Sequence, residues 1–251
     1  MSFLPFDIQE RIDLLLEKIS PNTLAKASKA LSSEYKLRIE SPQLDSNEAC
    51  LAYVAARLPA TYSSAKSVFK QIKDFEPTSL FDIGSGPGTL CIAAFEAFES
   101  LERATCVEEN SRFVTIGKAL LAANKNISWQ NSSFTTYPPS SDTYDLCTCS
   151  YVLSELDETL FFQALELLWQ KTKSHCAIIE PGTPLGYRNI LKARDWFLSK
   201  GGKIVAPCPH AQKCPMTDGV WCHFSTRVQR TRMHMSTKEA SCGYEDEKYS
   251  Y

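Results

Sequence analysis

Three closely spaced glycines, Gly84, Gly86 and Gly88, constrain the fold more than any other feature of the sequence. They follow the apolar pair at residues 80–81, which is typical of a buried strand, and precede a helical pattern at 89–102. Glycine lets the backbone turn sharply and pass close to a ligand. The start of the following helix offers unpaired N–H groups and a positive dipole end. The segment therefore predicts a strand, a turn and a helix that together bind a polar or anionic cofactor.

The spacing of these glycines distinguishes between cofactors. A dinucleotide turn has Gly-x-Gly-x-x-Gly or Ala, whereas Thr89 stands at the last position here and the glycine comes one residue earlier. The order Asp-x-Gly-x-Gly-x-Gly resembles motif I of the class I S-adenosylmethionine (SAM)-dependent methyltransferases. This resemblance implies that the turn passes the methionine part of SAM and that an acid after the next strand holds the ribose. Either Glu108 or Glu109 could be that acid, and we favour Glu108 because it directly follows the apolar run.

From residue 79 onward, short apolar runs alternate with helical patterns, which predicts right-handed βαβ units and a parallel sheet. The predicted strands are 79–83, 104–108, 127–130, 144–150, 176–180 and 203–206, and the predicted helices are 89–102, 111–123, 157–172 and 186–200. Ligands of such sheets bind beyond the carboxyl ends of the strands. We therefore predict an α/β, Rossmann-like methyltransferase sheet. Its candidate cofactor-binding residues are Asp82, Gly84, Ser85, Gly86, Gly88, Glu108, Ser150 and Tyr151. The alternative is a glycine turn that serves only the packing of helix on sheet.

Residues 1–75 have helical patterns throughout, so we predict a helical cap segment at 1–75 and a methyltransferase-like domain at 76–251. The helical segment could cover the cofactor site or could only pack against the sheet.

The catalytic group is not identified by the sequence. The strand at 144–150 occupies the place of methyltransferase motif IV. It lacks the Asn/Asp-Pro-Pro-Tyr/Phe sequence of many nucleic-acid amine methyltransferases. Cys147 and Cys149 also lack the Pro-Cys setting of cytosine C5 methyltransferases, and we interpret both as core residues of a buried strand.

Cys208, Cys214 and Cys222 follow one another at Cys-x5-Cys-x7-Cys within a proline-containing loop. Closely spaced thiolates favour a soft metal, and we predict a metal-binding loop at 207–242. Zinc and an iron–sulfur cluster both remain open. The fourth ligand could be Cys242, His210 or His223, or could be missing, and free buried thiols are the alternative to a metal. Arg227, Arg230 and Arg232 follow the loop, and a helix there would place the first two on one face.

Six stretches, at residues 57–62, 82–88, 180–184, 207–210, 221–225 and 243–248, together resemble one family. It comprises the methyltransferase-like proteins of small ribosomal subunit assembly, known from mitochondria and with bacterial relatives. The resemblance implies a four-iron, four-sulfur cluster on Cys208, Cys214 and Cys222, and contact of the three arginines with ribosomal RNA. In the family the fourth cluster cysteine comes after the last of these stretches. We therefore expect Cys242 to substitute for it, and the sheet to lack its last strand or strands.

Composition adds a prediction of location. The formal net charge of −2 suggests no partner, and the sequence has neither an apparent leader peptide nor an apolar run long enough to span a bilayer. Ten cysteines without such signals are expected to be reduced thiols. We therefore expect a cytoplasmic protein, a bacterial member of the family, with no membrane or DNA partner.

Three functions follow from these features. The first is methylation of small-subunit ribosomal RNA with SAM as cofactor. The second is a non-catalytic, RNA-binding assembly factor that retains the fold and the metal site. The third, a small-molecule methyltransferase, is disfavoured by the basic, cysteine-rich loop.

Overall fold

The computed structural model describes residues 3–37, 44–217, 219–238 and 240–251. Residues 1–2 and 38–43 of the predicted helical segment, and residues 218 and 239 of the predicted metal-binding loop, lie outside the described residues. Four helices precede the first strand: α1 (Phe6–Leu16), α2 (Pro21–Leu37), α3 (Asn47–Ala56) and α4 (Leu58–Phe69). No helix of the described chain has the length and apolar character needed to cross a bilayer.

The rest of the chain forms a sheet flanked by helices. The strands are β1 (Ser79–Ile83), β2 (Arg103–Val107), β3 (Ile127–Gln130), β4 (Tyr144–Ser150), β5 (Thr172–Pro181), β6 (Phe224–Gln229) and β7 (Tyr244–Ser250). The helices among them are α5 (Thr89–Ala97), α6 (Ser111–Leu120), α7 (Glu158–Lys171), α8 (Pro184–Ser199) and α9 (Arg232–Thr237).

The sheet has seven strands in the order β3-β2-β1-β4-β5-β7-β6. Strands β1 to β5 pair in parallel, whereas β7 lies antiparallel between β5 and β6. The α/β class and the parallel pairing of β1 to β5 are as predicted. The expectation of a sheet without its last strand is wrong, because β7 is present and pairs with both neighbours.

The sixth strand does not lie where the sequence predicts it. Residues 203–206 are not a strand but line the wall of a cavity beside α8, and Val205 is half exposed. The apolar run ends at Pro207, which has no backbone N–H to donate to a ladder. Strand β6 instead alternates inward Val228 with outward Arg227, as expected of an edge strand with one solvated face.

Alternate strand residues enter two hydrophobic cores, one on each face of the sheet, as the two-residue period of a strand requires. Leu80 and Leu146 pack with the N-terminal helices and α5, where Leu58 and Tyr62 are fully buried. The opposite core, against α7 and α8, contains Phe81, Ile83, Cys147 and Cys149 among its members. Both cysteines are therefore buried core residues, as predicted. The N-terminal helices share one core with the sheet rather than standing apart from it.

Candidate functional site

The glycine turn between β1 and α5 has left-handed backbone at all three glycines, with φ values of 62°, 54° and 82° for Gly84, Gly86 and Gly88. A Cβ on Gly84 would lie 2.3 Å from Val152, so this glycine permits the close approach of the segment after β4. A Cβ on Gly86 would meet no atom within 4 Å. The turn therefore presents its Gly86 backbone to open space, the arrangement that a close-lying ligand requires.

Glu108 directly follows β2 and reaches this turn. Its Oε2 accepts a hydrogen bond from the Gly86 N–H at 2.7 Å, and its Oε1 accepts one from the Asn110 N–H at 2.8 Å. Burial raises the pKa of Glu108, and these two N–H donors oppose that rise. Glu109, the other acid considered, is exposed. The structure thus brings Glu108 to the glycine turn, where the prediction of a ribose ligand places it.

Asp82, near the end of β1, is 1% exposed. Its Oδ1 accepts a hydrogen bond from the Thr148 hydroxyl at 2.7 Å, whereas its buried Oδ2 has no partner among the described residues. Burial raises the pKa of Asp82 to about 7. A buried carboxylate oxygen without a donor costs free energy, on the order of 1–3 kcal/mol. Asp82 is therefore suited to accept a hydrogen bond from a cationic donor in the cleft.

Tyr151 comes directly after β4 and has a left-handed φ of 59°, which is unusual for an aromatic residue. Its hydroxyl donates to Glu247 Oε1 at 3.0 Å and lies 3.3 Å from the Ser64 hydroxyl. Arg57 donates to both oxygens of Glu247, at 3.0 Å and 3.2 Å. The Tyr151 hydroxyl is thus engaged in an ion-pair network, and its predicted contact with cofactor, like that of Ser150, stays a prediction.

Glu180, which sequence reasoning did not select as a site residue, is fully buried near the carboxyl end of β5. Its Oε1 accepts from the Leu153 N–H at 3.0 Å, and its Oε2 accepts from the Ser154 hydroxyl. Asn189 in turn donates to the Ser154 hydroxyl at 3.1 Å. Burial raises the pKa of Glu180 to about 7. Glu180 therefore fixes the segment after β4; the only signal in the sequence was its place in one of the family stretches.

Cys208, Cys214 and Cys222 line one cavity of about 250 Å³ between α8, β5 and the cysteine loop. The Tyr187 hydroxyl lies 3.2 Å from the Cys214 sulfur. Arg194 on α8 holds the loop by donating to the carbonyls of His210 and Gln212 at 2.7 Å and 2.8 Å. Thiols suit a soft metal or a cluster. Within the described ranges, however, no three His, Cys, Asp or Glu side chains are close enough to hold one ion.

The structure separates Cys242 from the other three cysteines. The Cys222 carbonyl accepts from the Ser250 hydroxyl at one end of the β6–β7 hairpin. The Cys242 carbonyl accepts from Arg230 at the other end. Eight residues of extended chain between these ends span about 25 Å. This separation argues against Cys242 as a fourth ligand, and its assignment stays a prediction.

The three arginines do not lie on one helix face, because Arg227 is in a strand, Arg230 follows it, and Arg232 begins α9. Arg227 is half exposed, pairs with Asp246 at 2.8 Å and lies over the Tyr244 ring at 4.2 Å. The Arg230 side chain is only 14% exposed and pairs with Glu245 at 2.7 Å. Arg230 is therefore held in a largely buried ion pair, whereas solvent reaches Arg227 and Arg232. Contact of these arginines with RNA stays a prediction.

Comparison with known proteins identifies the family. The model of the family "Mitochondrial small ribosomal subunit Rsm22" matches residues 47–251. The chain belongs to the Rsm22 family. It is 29% identical over 198 residues to the human mitochondrial ribosome assembly protein METTL17, covering 70% of this chain and 43% of that protein.

A second relative is the mitochondrial Rsm22-cox11 tandem protein 2 of Schizosaccharomyces pombe, at 27% identity over 242 residues. That match covers 82% of this chain and 32% of the relative, so the chain spans less than half the length of either relative. A solved structure of a Pyrococcus horikoshii protein proposed to be an RNA methyltransferase aligns at 14% identity with a TM-score of 0.49. It covers 75% of this chain and 80% of that one.

These relatives correct the expected location. Both are mitochondrial proteins, and the family model is that of a mitochondrial ribosomal protein. The expectation of a cytoplasmic, bacterial protein is therefore wrong. It rested on the absence of a recognisable leader peptide, which is a weak signal compared with homology over most of the chain.

Proposed function

We propose that this Rsm22-family chain binds SAM and acts in the assembly of the mitochondrial small ribosomal subunit. One observation carries the SAM part of the proposal: the open backbone at Gly86, the Glu108 carboxylate and the unpartnered Asp82 oxygen meet at the carboxyl ends of β1 and β2. The role in assembly is proposed from the family and from the human relative, which is a ribosome assembly protein.

Each of these groups fits one part of SAM. The two oxygens of Glu108 suit a pair of ribose hydroxyls, as the resemblance to methyltransferases implies. The buried Asp82 oxygen suits the ammonium of the methionine part, since a charged donor would satisfy an acceptor that has no other partner. When bound, SAM supplies a methyl group on a sulfonium, and the surrounding residues hold it and exclude water. Isothermal titration calorimetry of the chain with SAM tests this assignment, and an absence of binding would refute it.

The segment after β4 bears on whether methyl transfer occurs. In this segment the Tyr151 hydroxyl is engaged by Glu247, and Ser154 and the Leu153 N–H are engaged by Glu180. These contacts fix a rigid turn in which the polar groups are already paired, which supports a SAM-binding assembly factor over an enzyme. Incubation with methyl-labelled SAM and small-subunit ribosomal RNA separates the two. Label in the RNA identifies an enzyme, and no label despite SAM binding identifies an assembly factor.

We also propose that Cys208, Cys214 and Cys222 hold an iron–sulfur cluster, with zinc as the alternative. Because the three thiols are not close enough in the structure to hold one ion, the metal would have to draw them together. The support is the single cavity that the three thiols line and the Arg194 contacts that hold the loop beside it. A cluster on this loop would fix the backbone between α8 and β6.

Cys214→Ser is expected to remove most of the bound metal, because a hydroxyl is a poor ligand for a soft metal. Cys242→Ser is the matched control, since Cys242 lies at the far end of the β6–β7 hairpin and should leave metal content unchanged. Anaerobic purification followed by iron, sulfide and zinc analysis measures both. Equal metal content in wild type and Cys214→Ser would refute the ligand assignment.

For RNA contact, we propose Arg227 and Arg232, which are the exposed arginines of this region. Arg232→Ala is expected to weaken binding of small-subunit ribosomal RNA and to reduce the slope of log affinity against log salt by about 0.7–0.9. Fluorescence anisotropy across a salt series measures this slope. Lys29→Ala on α2 is a control of equal charge outside the region, and an Arg232→Ala slope equal to wild type would contradict the assignment.

A further inference from the structure

Four acidic side chains surround the cleft beyond the carboxyl ends of the parallel strands. They are Asp82 in β1, Glu108 after β2, Glu155 in the short helix after β4, and Glu180 in β5. The register of the ladders places these strand ends side by side, with Asp82 opposite Thr148 and Ile179 opposite Ser150. Three of the four acids are buried, and Glu155 is exposed at the rim.

No cation of the described chain is among the main influences on these acids. Asp82 is influenced by the Thr148 and Ser85 hydroxyls and by the charge of Glu108. Glu108 is influenced by backbone hydrogen bonds from Asn110, Gly86 and Glu109, and by the charge of Glu109. The groups that act on Glu180 are Ser154, the Leu153 N–H and Asn189. Around Glu155 they are three further acids, Glu180, Glu108 and Glu109. Arg57, which acts together with Glu155 and Glu108 on Tyr53, is already paired with Glu247.

A second observation points to a ligand at this acidic cluster. The Asp82 side chain is 99% buried, yet its Oδ2 has no hydrogen-bond partner in the described residues. The neighbouring Gly86 has no atom within 4 Å of the position of a Cβ. A buried carboxylate is costly unless it meets a cation. In the proposed pose the ammonium satisfies Asp82, whereas Glu108, Glu155 and Glu180 have no cation among the groups that act on them. The cleft as a whole therefore favours a ligand with a further positive charge.

We infer that this cleft selects the positively charged sulfonium form of its ligand, and so binds SAM more tightly than its demethylated product, S-adenosylhomocysteine (SAH). This inference rests on the proposed function. The two ligands share an ammonium and a carboxylate and differ in charge only at sulfur, which is +1 in SAM and neutral in SAH. The acids therefore stabilise bound SAM more than bound SAH. The protein thereby distinguishes the cofactor that carries a methyl group from its demethylated product.

The expected preference is about tenfold or more. A single carboxylate at about 8 Å, at an effective dielectric constant of about 20, is sufficient for that ratio. Burial raises the pKa of Asp82 and Glu180 to about 7, and desolvation and the neighbouring acids raise the pKa of Glu155 to about 8. These acids ionise as the pH rises, so the preference for SAM over SAH should grow from about pH 6 to about pH 9 and then level off. The shared ammonium affects both ligands alike and cancels in the ratio.

The test is calorimetry of the full chain with SAM, SAH and sinefungin, a SAM analogue that carries a protonated amine in place of the sulfonium. SAM and sinefungin are expected to bind about tenfold more tightly than SAH. At about pH 9, above the pKa of about 8 to which desolvation and the neighbouring acids raise Glu155, Glu155→Gln should lower the SAM-to-SAH ratio by about two- to threefold. Glu158→Gln is the matched control, since Glu158 is exposed on α7 and pairs with Lys192.

Equal affinities for SAM and SAH, or tighter binding of SAH, would overturn the inference and leave the proposed SAM site intact. A ratio that falls as pH rises would also overturn it. If none of the three ligands binds, the proposed function itself fails and the inference falls with it. The comparison of ligands on the wild-type chain gives the answer even if Glu155→Gln does not fold.

Discussion

Gly86→Arg is expected to abolish SAM binding, raising the dissociation constant by more than about a hundredfold. Gly86 has a φ of 54°, and a Cβ there would point into space free of protein atoms within 4 Å. An arginine side chain would occupy that space. It would also place a cation beside Asp82 and Glu108, where it would neutralise the carboxylates that the proposal pairs with SAM. Both effects compete directly with SAM.

The variant should remain folded, because the added side chain meets no core residue. Gly201→Arg is the matched control: Gly201 also has a left-handed φ, 89°, with no atom within 4 Å of a Cβ, but it follows α8 outside the cleft. Both variants carry about 1 kcal/mol of backbone strain, so their thermal midpoints should fall by similar small amounts. Calorimetry should then show SAM binding only in Gly201→Arg. Retained affinity in Gly86→Arg would show that the turn is not the cofactor site.

Much of the fold could be predicted because it depends on local patterns. The strands at 79–83, 127–130 and 144–150 lie where the apolar runs predict them. Helix α5 ends at Ala97, short of the predicted residue 102, because Phe98 has extended backbone and turns into the core beside Leu101. Strand β6 was missed because its outward residues are polar and basic, and a single apolar run at 203–206 gave the stronger strand pattern.

The site could be predicted from the sequence only where its residues belong to consecutive elements of one βαβ unit. The glycine turn and Glu108 are separated by one helix and one strand of a βαβ unit, so their meeting follows from topology alone. Glu180 meets Ser154 only because β4 and β5 are adjacent and the segment after β4 folds back. The positions of Cys242 and Arg230 also depend on topology. The sequence places both within about 20 residues of Cys222, but the β6–β7 hairpin carries them to its opposite end.

Glu247→Ala is expected to destabilise the fold by about 3 kcal/mol, because it leaves the Arg57 guanidinium partly buried without a counterion. The two side chains are 29% and 12% exposed, and Glu247 also accepts the Tyr151 hydroxyl bond. For a chain of this size, the thermal midpoint should fall by roughly 6–12 °C. Asp246→Ala is the matched control on the same strand. Its pair with Arg227 is 48% and 47% exposed, and its loss should cost less than about 1 kcal/mol.

Urea denaturation of the two variants measures the difference, and equal losses would show that the buried network contributes no more than a surface pair. The double variant Arg57→Met/Glu247→Leu should recover much of the stability, because it removes the unpaired charge.

The network joins α4, the end of β4 and β7, and it holds Tyr151 in its left-handed conformation beside the segment that packs on Gly84. Glu247→Ala should therefore also weaken SAM binding, whereas Asp246→Ala should not. That result would show that the last strand of the sheet supports the cofactor turn through Tyr151.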